Sequence, residues 1–520
     1  IELWLGRPLL NLFTICITNR SIMSEISDQR LIRIQKLEKL RRQGVNPYPY
    51  SFSSSHTMIQ LIEEGEELEQ KQTEVSVSGR LMAVRGKGKA VFANLQAQHR
   101  RLQIYVRLDE VGEESFEVFR LCDIGDYLGL HGNMMKTRTG ELTLRVLQLI
   151  LLSKSIRPMP VPKVEEKDGQ RIVHDEVRDQ ELRYRQRYID LALNPQTAEV
   201  FRKRNLIMQT IRYYLVEEGF LEVETPTLQP VYGGANANPF TTHHKALDQT
   251  FYLRIANELY LKRLIAGGFD AVFEFTKNFR NEGIDRTHNP EFTALEFYQA
   301  DVDYTAMMHH TEMIFLRCAE VLHGKTSFEF EGETLDVAPP WRRMTMYEAI
   351  RDIGGLDIRG ISDSEMRNLM DQHAWKLKGS WNRGLAVQLI FEETCESKLI
   401  QPVFITGHPK ETSPLCKRHR DDPDLIERFE AFVYGWEVAN AYSELNDPLL
   451  QRELMEEQVE RGRGGETETH PMDEDFLRAV EYGMPPMGGI GFGIDRMVML
   501  LTGQSAIRDV ILFPTMRPEQ

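Results

Sequence analysis

Five short segments between residues 75 and 152 alternate polar and apolar side chains, and this feature constrains the fold of the chain most strongly. Successive side chains on a strand point to opposite faces of a sheet, so this alternation is typical of strands with one buried face. Glycine or charged residues separate the segments, as expected for turns. The segments are VSVSGRLMAV, KAVFANL, RLQIYVRL, DYLGLHGNMMKT and ELTLRVLQLILL. Five strands of this length and spacing predict a small closed β-barrel.

Changes in composition divide the rest of the chain into further segments. The 520 residues exceed the about 250–300 residues at which a single hydrophobic core stops growing, so at least two domains are expected. Residues 1–22 begin with Ile and are interpreted as a non-native or disordered extension, with a signal peptide as the alternative. The other predicted ranges are a helical segment at 23–72, the barrel at 73–154, a linker at 155–180, and an α+β domain at 181–520 with a helical insertion at about 320–425.

Charge and cysteine content exclude several classes of protein. A net charge of −15 excludes a uniformly basic surface, so contact with RNA requires a local basic patch. The five cysteines are scattered and form no C-x-x-C pair, which argues against a disulfide framework and a zinc site and favours a cytoplasmic location. No run of about 18 apolar residues is present, so no membrane-spanning segment is predicted.

Three segments in the second half of the chain concentrate glycine, proline and charged residues. The first, GFLEVETPTLQP at 219–230, predicts a helix end followed by a strand. In the second, FEFTKNFRNEGIDRTHNPEFTALEFYQA at 273–300, Arg280 and Glu282 are two residues apart and are predicted to share one strand face. In the third, GIGFGIDRMVML at 489–500, a glycine-rich strand leads into a helix with Arg496 in its first turn. Taken singly, an ion pair on a sheet surface would explain the second segment and a packing device the third.

In this order, the three segments resemble motifs 1, 2 and 3 of the class II aminoacyl-tRNA synthetases, with FRNEG and GIDR as the most specific parts. The resemblance extends from residue 23 to residue 518. It includes the barrel, which is similar to the OB-fold anticodon-binding domain of the subclass for lysine, aspartate and asparagine. It implies an α+β fold in which a six- or seven-stranded antiparallel sheet, flanked by helices, carries the active site. It also implies a homodimer formed through motif 1 at 219–230.

The resemblance also implies which residues handle the phosphates. Arg280 and Arg496 are the expected catalytic residues: Arg280 grips the α-phosphate and the amino-acid carboxylate, and Arg496 covers adenine and approaches the γ-phosphate. Arginine suits these roles because its planar guanidinium binds phosphate or carboxylate with two hydrogen bonds. The other residues expected to hold ATP are Glu282, His288 and Phe292. Glu430 and Glu437 are expected to bind Mg²⁺, which prefers carboxylate and phosphate oxygens.

Side-chain charge decides between the three amino acids of the subclass. A site for aspartate should present basic residues, whereas a site for lysine should present acids, and this chain offers Glu258, Glu296 and Glu444. The resemblance places Glu258 at the α-amino group and Glu296, Tyr298 and Glu444 around the ε-ammonium. The further residues expected to bind lysine are Gly234, Asn440 and Tyr442. The alternative interpretation is that the three acids face solvent at a sheet edge.

The expected reaction is therefore the ATP-dependent activation of lysine to lysyl-adenylate, followed by transfer of lysine to the 3′-terminal adenosine of tRNA(Lys). An aspartyl- or asparaginyl-tRNA synthetase is the main alternative, and the three acids argue against it because they would repel an acidic side chain. A non-catalytic RNA-binding relative would be expected to lose Arg280, Glu437 or Arg496, and all three are intact. A lysyl transferase that acts on a protein would be expected to lack the barrel.

The barrel is expected to bind the anticodon by stacking bases on aromatic side chains beside a basic groove. Its candidate face carries Arg80, Phe92 and Gln103. By resemblance, Phe92 stacks on an anticodon base, Arg80 and Gln103 read the central uridine, and Glu141 adds a further contact. For Phe92 alone, a position in the barrel core is the alternative interpretation. Basic residues of the adjoining turn are Arg85, Lys87 and Lys89.

Overall fold

The computed structural model describes residues 28–86, 88–161, 163–167, 170–174, 179–377, 379–463 and 471–518. The predicted extension at 1–22 and Lys87 lie outside the described residues. The chain divides into two compact units, Ile1–Pro195 and Gln196–Gln520. Within the described ranges, no helix is both long enough and apolar enough to cross a membrane.

The first unit is built around a closed barrel of five strands in the order β1-β2-β3-β5-β4, which confirms the predicted barrel. Its strands are β1 Glu74–Arg85, β2 Ala90–Ala97, β3 Arg100–Arg107, β4 Tyr127–Lys136 and β5 Leu142–Ser153. The apolar residues of the alternating pattern fill the interior, and their burial stabilises the barrel because apolar area leaves water. Those that are at most 1% exposed include Val77, Leu95, Ile104, Leu130 and Leu144.

Helices accompany the barrel within the first unit. They are α1 Asp28–Arg42, α2 Met58–Glu63, α3 Gly65–Gln70, α4 Leu108–Val111, α5 Glu113–Leu121, α6 Gln180–Arg185 and α7 Arg187–Leu193. Leu37 and Leu40 bury one side of α1. The segment predicted as a linker contains two paired strands, β6 Lys163–Lys167 and β7 Gln170–His174, and its charged composition alone does not predict this pairing.

The second unit contains an eight-stranded sheet with the strand order β16-β17-β18-β19-β20-β13-β12-β8. Its strands are β8 Leu221–Glu222, β12 Ala271–Phe279, β13 Glu291–Ala300, β16 Arg342–Thr345, β17 Val403–Pro409, β18 Leu425–Val433, β19 Trp436–Ser443 and β20 Met487–Gly493. The pairs β16–β17 and β12–β8 are parallel, and the other pairs are antiparallel. The α+β fold with a mainly antiparallel sheet is confirmed, but the sheet has eight strands rather than six or seven.

Helices pack on this sheet, and two small sheets complete the second unit. The helices are α8 Pro195–Glu217, α9 Glu258–Ala266, α10 Tyr304–His323, α11 Met346–Asp352, α12 Asp363–Gln372, α13 Arg383–Thr394, α14 Pro448–Arg463, α15 Glu474–Glu481, α16 Ile494–Thr502 and α17 Ile507–Val510. The small sheets are formed by β9 Leu228–Gln229, β10 Thr241–His244 and β11 Gln249–Leu253, and by β14 Ser327–Phe330 and β15 Glu333–Asp336. The main core joins α8, α10 and α16 to the sheet through side chains at most 1% exposed, such as Ile211, Phe297, Phe315, Ile490 and Met497.

The helical insertion is shorter than predicted. Strands β16 and β17 lie within the range 320–425 but belong to the main sheet, so the inserted helices are α11, α12 and α13 at 346–394. Six of the seven residues of β17 are buried, so its sequence VFITGHP lacks the alternation that identifies a half-buried strand. A strand covered on both faces cannot be distinguished from a buried helix by periodicity alone.

Candidate active site

A cavity of about 420 Å³ lies on the second unit where β12, β13, β19 and β20 run side by side. Its lining includes every residue predicted to bind lysine or ATP, from Gly234 in the loop before β10 to Arg496 in α16. Of the two predicted metal-binding residues, Glu437 lines the cavity and Glu430 does not. The fold thus gathers into one place side chains that are dispersed along more than half of the chain.

One wall of the cavity forms where β13 pairs with β20. Glu296 and Tyr298 are two residues apart on β13 and face the same side, and the Tyr298 hydroxyl donates to Glu296 Oε2 at 3.3 Å. Their partners across the strand pair are Gly491 and Gly489. A Cβ atom at Gly489 would overlap both the Tyr298 ring and the carboxylate of Glu444. Glycine is therefore required at this position because neighbouring side chains occupy the space beside its backbone.

Three carboxylates come together in the cavity: Glu258 in α9, Glu296 in β13 and Glu444 after β19. They are 5%, 8% and 0% exposed, so they do not face solvent at a sheet edge. Burial, followed by the charge of Glu258, raises the pKa of Glu296 to about 8. Glu444 Oε1 is buried and makes no hydrogen bond within the described residues. A cluster of this kind favours a cationic ligand, because like charges repel and each carboxylate has lost its water.

A lysine residue, Lys262, joins two of these carboxylates. Its side chain is fully buried, its Nζ donates to Glu258 Oε1 at 2.6 Å, and it forms an ion pair with Glu444 Oε2. Burial alone would lower the pKa of Lys262, but Glu258 and Glu444 outweigh this effect and raise the pKa. Sequence reasoning misses Lys262, and its only signal is the four-residue spacing from Glu258 on a helix.

Gly234, Tyr442 and Asn440 occupy the remaining positions predicted for lysine. Gly234 has a φ of 87°, and a Cβ atom there would lie 3.1 Å from Glu258 Cβ, so both conformation and space favour glycine. Tyr442 lies on β19, with the Arg428 guanidinium 5.7 Å from the centre of its ring. Asn440, also on β19, directs its side-chain amide at Glu430 and Glu437.

Arg280 brings a cation into the same cavity, and it forms no ion pair among the residues that the structure describes. It follows Phe279, the last residue of β12, and lies in a loop, which corrects the prediction that it shares a strand face with Glu282. Its guanidinium lies 5.0 Å from the centre of the Phe292 ring, and burial lowers its pKa. Arg280 Nε is buried and makes no hydrogen bond within the described residues. A buried guanidinium with an unsatisfied N–H favours an anionic ligand such as a carboxylate or a phosphate.

Arg496 lies in the first turn of α16, as predicted. Its Nη1 donates to the backbone oxygen of Glu437 at 2.8 Å, and its Nη2 lies 3.3 Å from His288 Nε2. His288 Nδ1 in turn lies 2.8 Å from Asp285 Oδ2. These contacts hold the exposed loop after β12, which also carries Glu282, against α16. Asp285 belongs to this series of contacts, and the sequence analysis does not predict it.

A network around Asp495 joins α8, β13 and α16. Arg204 Nη1 donates to Asp495 Oδ1 at 2.6 Å, and Arg204 Nη2 donates to Thr293 Oγ1 at 2.9 Å. Asp495 Oδ2 accepts from the backbone N–H of Thr293 at 2.7 Å. Asp495 is buried, so these contacts satisfy a carboxylate that has lost its water. The aspartate of the GIDR segment therefore fixes the start of α16, and with it Arg496, relative to β13.

Glu430 and Glu437 lie on the neighbouring strands β18 and β19. Oε1 of each accepts from Asn440 Nδ2 at 3.3 Å, so the two carboxylates lie close together. Burial, followed by the charge of Glu430, raises the pKa of Glu437. Glu430 also forms an ion pair with Arg428. Two adjacent carboxylates fit Mg²⁺, which commonly takes one or two protein carboxylates together with substrate phosphates.

Comparison with known proteins identifies the family. A sequence model described as tRNA synthetases class II (D, K and N) matches residues 179–517. The chain belongs to this family of class II tRNA synthetases. A second model, described as an OB-fold nucleic acid binding domain, matches residues 75–152 of the same synthetase.

Curated relatives of this synthetase match it over nearly its whole length. The lysine–tRNA ligase of Christiangramia forsetii is 48% identical over 508 residues, which are 96% of this chain and 88% of that protein. The lysine–tRNA ligase of Syntrophomonas wolfei is 48% identical over 497 residues, with 95% and 98% covered. The lysine–tRNA ligase of Moorella thermoacetica is 48% identical over 495 residues, with 95% and 99% covered. The similarity therefore includes both units.

In the first unit of the synthetase, Phe92 lies on the outer face of the barrel. It alternates with Val91 and Ala93, which are buried, so it does not occupy the barrel core. Its ring centre is 4.8 Å from that of Tyr105, which is opposite Phe92 in the pairing of β2 with β3. Tyr105 is an aromatic neighbour that sequence reasoning misses, and its signal is this cross-strand position.

The other residues predicted to contact the anticodon differ in how exposed they are and in what they pack against. Arg80 packs on Tyr127, with its guanidinium 4.6 Å from the ring centre. Gln103 is only 8% exposed, and its side-chain amide donates to Thr143 Oγ1 at 2.9 Å, so it is less accessible than its predicted role requires. Glu141 is exposed just before β5. Phe92, the one aromatic residue of the predicted set, is half-buried on the outer face.

Proposed function

We propose that this synthetase is a lysine–tRNA ligase. The proposal rests on the buried cluster of Glu258, Glu296 and Glu444, which shares one cavity with Arg280. Arg280 Nε is buried and makes no hydrogen bond within the described residues. An amino acid with an ammonium group at the end of its side chain compensates the charge of the glutamates, and its α-carboxylate compensates the charge of Arg280. The 48% identity to proteins named lysine–tRNA ligase, over 95% or more of this chain, supports the same substrate.

The cavity divides into parts that suit the parts of lysine. Glu258 binds the α-ammonium group, and Glu296, Tyr298 and Glu444 surround the ε-ammonium group. A neutral side chain of the same length would leave buried acids unpaired, which is the basis of selectivity. Aspartate would add a fourth carboxylate to the cluster, so the aspartyl alternative is disfavoured by repulsion. Gly234, Asn440 and Tyr442 complete the lysine site.

In the first step, a carboxylate oxygen of lysine attacks the α-phosphorus of ATP. A new O–P bond forms, and pyrophosphate leaves with the electron pair of the broken P–O bond. Both reactants are anionic, so the main requirements are alignment and neutralisation of charge, and no nucleophile from the protein is needed. Arg280 binds the lysine carboxylate and the α-phosphate, and Arg496 approaches the γ-phosphate. The other residues that hold ATP are Glu282, His288 and Phe292.

In the second step, a hydroxyl group of the 3′-terminal adenosine of tRNA(Lys) attacks the carbonyl carbon of lysyl-adenylate. An ester bond forms to the adenosine, the bond from the carbonyl carbon to the phosphate oxygen breaks, and AMP leaves with its electron pair while the hydroxyl proton is released. The outer face of the barrel holds the anticodon, with Phe92 and Tyr105 as a stacking surface, since aromatic rings bind unpaired bases through their faces. Arg80, Gln103 and Glu141 provide the polar contacts.

We assign the Mg²⁺ that accompanies ATP to Glu430 and Glu437. Their carboxylates would hold the ion, and phosphate oxygens of ATP would complete its coordination. When bound, the ion neutralises charge on the phosphates. Asn440 and Arg428 hold the two carboxylates in place through their hydrogen bonds and ion pair.

We infer that the synthetase forms a homodimer through the region of motif 1. Leu206, Tyr213 and Val216 of α8 are 37%, 67% and 55% exposed, and their spacing places them on one face of the helix. Leu221 and Leu228, each 48% exposed, add apolar surface within 219–230. Exposed apolar surface of this kind is typical of protein interfaces.

Analytical ultracentrifugation tests the homodimer directly. We expect a species of twice the 60.3 kDa chain mass, and we expect Tyr213→Asp to shift it towards the monomer, because a charge at the interface must lose its water. Leu449, which is 79% exposed at the start of α14, provides a matched surface control in Leu449→Asp. A mass of one chain for the unaltered protein would contradict the inference.

We also propose a cytoplasmic location. Cys122, Cys318, Cys395 and Cys416 are free thiols, and three of them are buried. Free thiols of this kind are typical of proteins in a reducing compartment.

Pyrophosphate–ATP exchange, run separately with each of the twenty amino acids, tests the proposed function. We expect exchange with lysine and little with amino acids whose side chains are neutral or acidic, because the acidic cluster needs a cationic tail for compensation. Exchange with aspartate or asparagine but not with lysine would overturn the assignment. Charging of tRNA(Lys) with labelled lysine then tests the second step.

A further inference from the structure

Lys262 is a resident cation among the carboxylates of the proposed lysine site. It lies on α9 four residues after Glu258, so both side chains project from the same side of the helix. Its second partner, Glu444, comes from the segment that follows β19. All three side chains are at most 7% exposed, so solvent screens these charges weakly.

Each of the two carboxylates gives only one oxygen to Lys262. Glu258 contacts Lys262 through Oε1. Its other oxygen, Oε2, lies beside Gly234, where a built Cβ atom would be 3.7 Å away. Glu444 contacts Lys262 through Oε2, while its Oε1 is buried without a hydrogen bond among the described residues. Both glutamates line the cavity. Lys262 therefore leaves one oxygen of each carboxylate available to a ligand.

The charges of the proposed complex balance only with Lys262 included. Glu258, Glu296 and Glu444 bring three negative charges, and a lysine substrate brings two positive charges in its α- and ε-ammonium groups. Lys262 supplies the third positive charge, so three carboxylates face three ammonium groups. Buried charge without compensation is costly, so this balance favours a dibasic amino acid over one with a neutral or acidic side chain.

We propose that Lys262 is a positioning and specificity-determining residue, which orients Glu258 and Glu444 so that their free oxygens receive the ammonium groups of the substrate. This inference rests on the proposed function and deepens it. Lys262 acts through the two carboxylates. Without Lys262, repulsion among the three buried acids would not be offset by a cation in contact with them, and this would favour their protonated forms more strongly.

Other charged or titratable groups face the same pair. They are Glu296 and Tyr298 on β13, Arg428 on β18, Tyr442 on β19 and Cys416 in the segment before β18. Arg428 is the other cation among them, and it forms its ion pair with Glu430. Of the two cations near this pair, Lys262 is therefore the one that contacts Glu258 and Glu444 directly.

The variant Lys262→Met removes the charge and keeps the approximate length of the side chain. In lysine-dependent pyrophosphate–ATP exchange at pH 7, we expect the KM for lysine to rise about tenfold or more, because each unit of pKa shift is a tenfold change in ionisation. The KM for ATP should change less than about twofold, because uniform binding of ATP is unaffected. As the pH rises from 7 to 9, the acids of the cluster lose their protons in the variant as well. The KM for lysine of the variant, divided by that of the unaltered protein, should therefore fall.

The variant Lys154→Met is the matched control. Lys154 is also fully buried and pairs with two carboxylates, Asp123 and Asp126, but it belongs to the first unit. We expect its substitution to lower the melting temperature and to leave the KM for lysine unchanged. The comparison separates loss of a buried ion pair in general from loss of the charge next to the lysine site.

Each outcome decides the role of Lys262. A folded Lys262→Met protein with an unchanged or lower KM for lysine at pH 7 would overturn it, and so would a KM ratio that stays constant from pH 7 to 9. If Lys262→Met does not fold, Lys262→Arg keeps the charge and should retain the pH profile of the unaltered protein, and a shifted profile would overturn the role. Absence of lysine-dependent exchange in the unaltered protein would instead remove the proposed function itself, so the two failures are distinguishable.

Discussion

At the scale of single residues, burial changes the chemistry of the carboxylates in the cavity. A solvent-exposed glutamate is ionised at neutral pH, whereas burial and the charge of Glu258 raise the pKa of Glu296 to about 8. A buried carboxyl group therefore has either lost its charge or retained it at a cost in free energy. An ammonium group of the ligand relieves this cost, and the acidic end of the cavity becomes selective for a cationic tail for this reason.

The variant Glu296→Gln should weaken lysine binding while leaving ATP binding largely intact. A hydrogen bond to a charged group contributes about 1.5–3 kcal/mol, so the KM for lysine should rise roughly 10- to 150-fold. Glu291→Gln, an exposed position on the same strand, should leave both KM values unchanged. Steady-state pyrophosphate exchange measures both constants. An unchanged KM for lysine in Glu296→Gln would remove this residue from the lysine site.

Lysine binding should release protons at pH 7. The raised pKa of Glu296, about 8, keeps its carboxyl group largely protonated at this pH, and a bound ammonium group favours the ionised form and lowers the pKa. Release should decline as the pH rises above 8, because the carboxyl group is then already ionised. Calorimetric titration with lysine in two buffers of different ionisation enthalpy measures the number of protons. Identical heats in both buffers at pH 7 would contradict the prediction, and Glu296→Gln should release fewer protons.

At the scale of helices and strands, polar contacts between elements hold the cavity in shape. Arg204 of α8, Thr293 of β13 and Asp495 of α16 form one network, which fixes the helix that carries Arg496. A second chain of contacts, from Asp285 through His288 to Arg496, holds the loop after β12 to the same helix. The positions of the phosphate-binding side chains therefore depend on residues that do not themselves bind phosphate.

The variant Arg204→Ala should destabilise the second unit. It leaves the buried carboxylate of Asp495 without its ion-pair partner, and loss of one partner of a buried ion pair costs about 3 kcal/mol or more. Urea denaturation measures the change in the free energy of unfolding. Arg202→Ala on the same helix breaks an exposed pair with Glu199 and should change stability by less than about 0.5 kcal/mol. Equal changes in the free energy of unfolding would show that the Asp495 network stabilises the protein no more than an exposed ion pair does.

At the scale of the whole molecule, the two units carry different parts of the proposed reaction. The first unit presents the outer face of a closed barrel, and the second unit encloses the cavity where lysine is activated. Activation of lysine needs only the residues of the second unit. Transfer to tRNA also needs the barrel, because the tRNA must be bound and recognised.

The variant Phe92→Ala should separate these two activities. Stacking of a base on an aromatic side chain contributes about 1–3 kcal/mol, so the KM for tRNA(Lys) should rise roughly 5- to 150-fold in aminoacylation. Lysine-dependent pyrophosphate exchange should be unchanged, because the lysine and ATP sites are untouched. Tyr50→Ala, at a fully exposed aromatic residue of the same unit, is a suitable control. Unchanged aminoacylation in Phe92→Ala would remove Phe92 from the anticodon site.

Sequence patterns and family resemblance predicted much of the fold and most residues of the candidate site. The barrel strands follow from alternation, and the residues predicted for the cavity follow from the resemblance to a family that the order of three polar segments indicates. Among the features that escaped prediction, three illustrate different physical reasons. Strand β17 is buried on both faces and shows no alternation. Arg280 lies one residue past the end of its strand. Gln103 is covered by Thr143, which comes from another strand of the barrel.

The sequence by itself determined the barrel, the mainly antiparallel α+β class and the residue types of the site, because periodicity and motif spacing are local properties of the chain. Only the tertiary structure decided that Lys262 joins Glu258 to Glu444, that Arg204 holds Asp495, and that Tyr105 lies beside Phe92. These contacts depend on which elements meet and on how deeply each side chain is buried. Charge, exposure and pKa are set by neighbours in space, and for Lys262 and Arg204 a decisive neighbour is distant in the sequence.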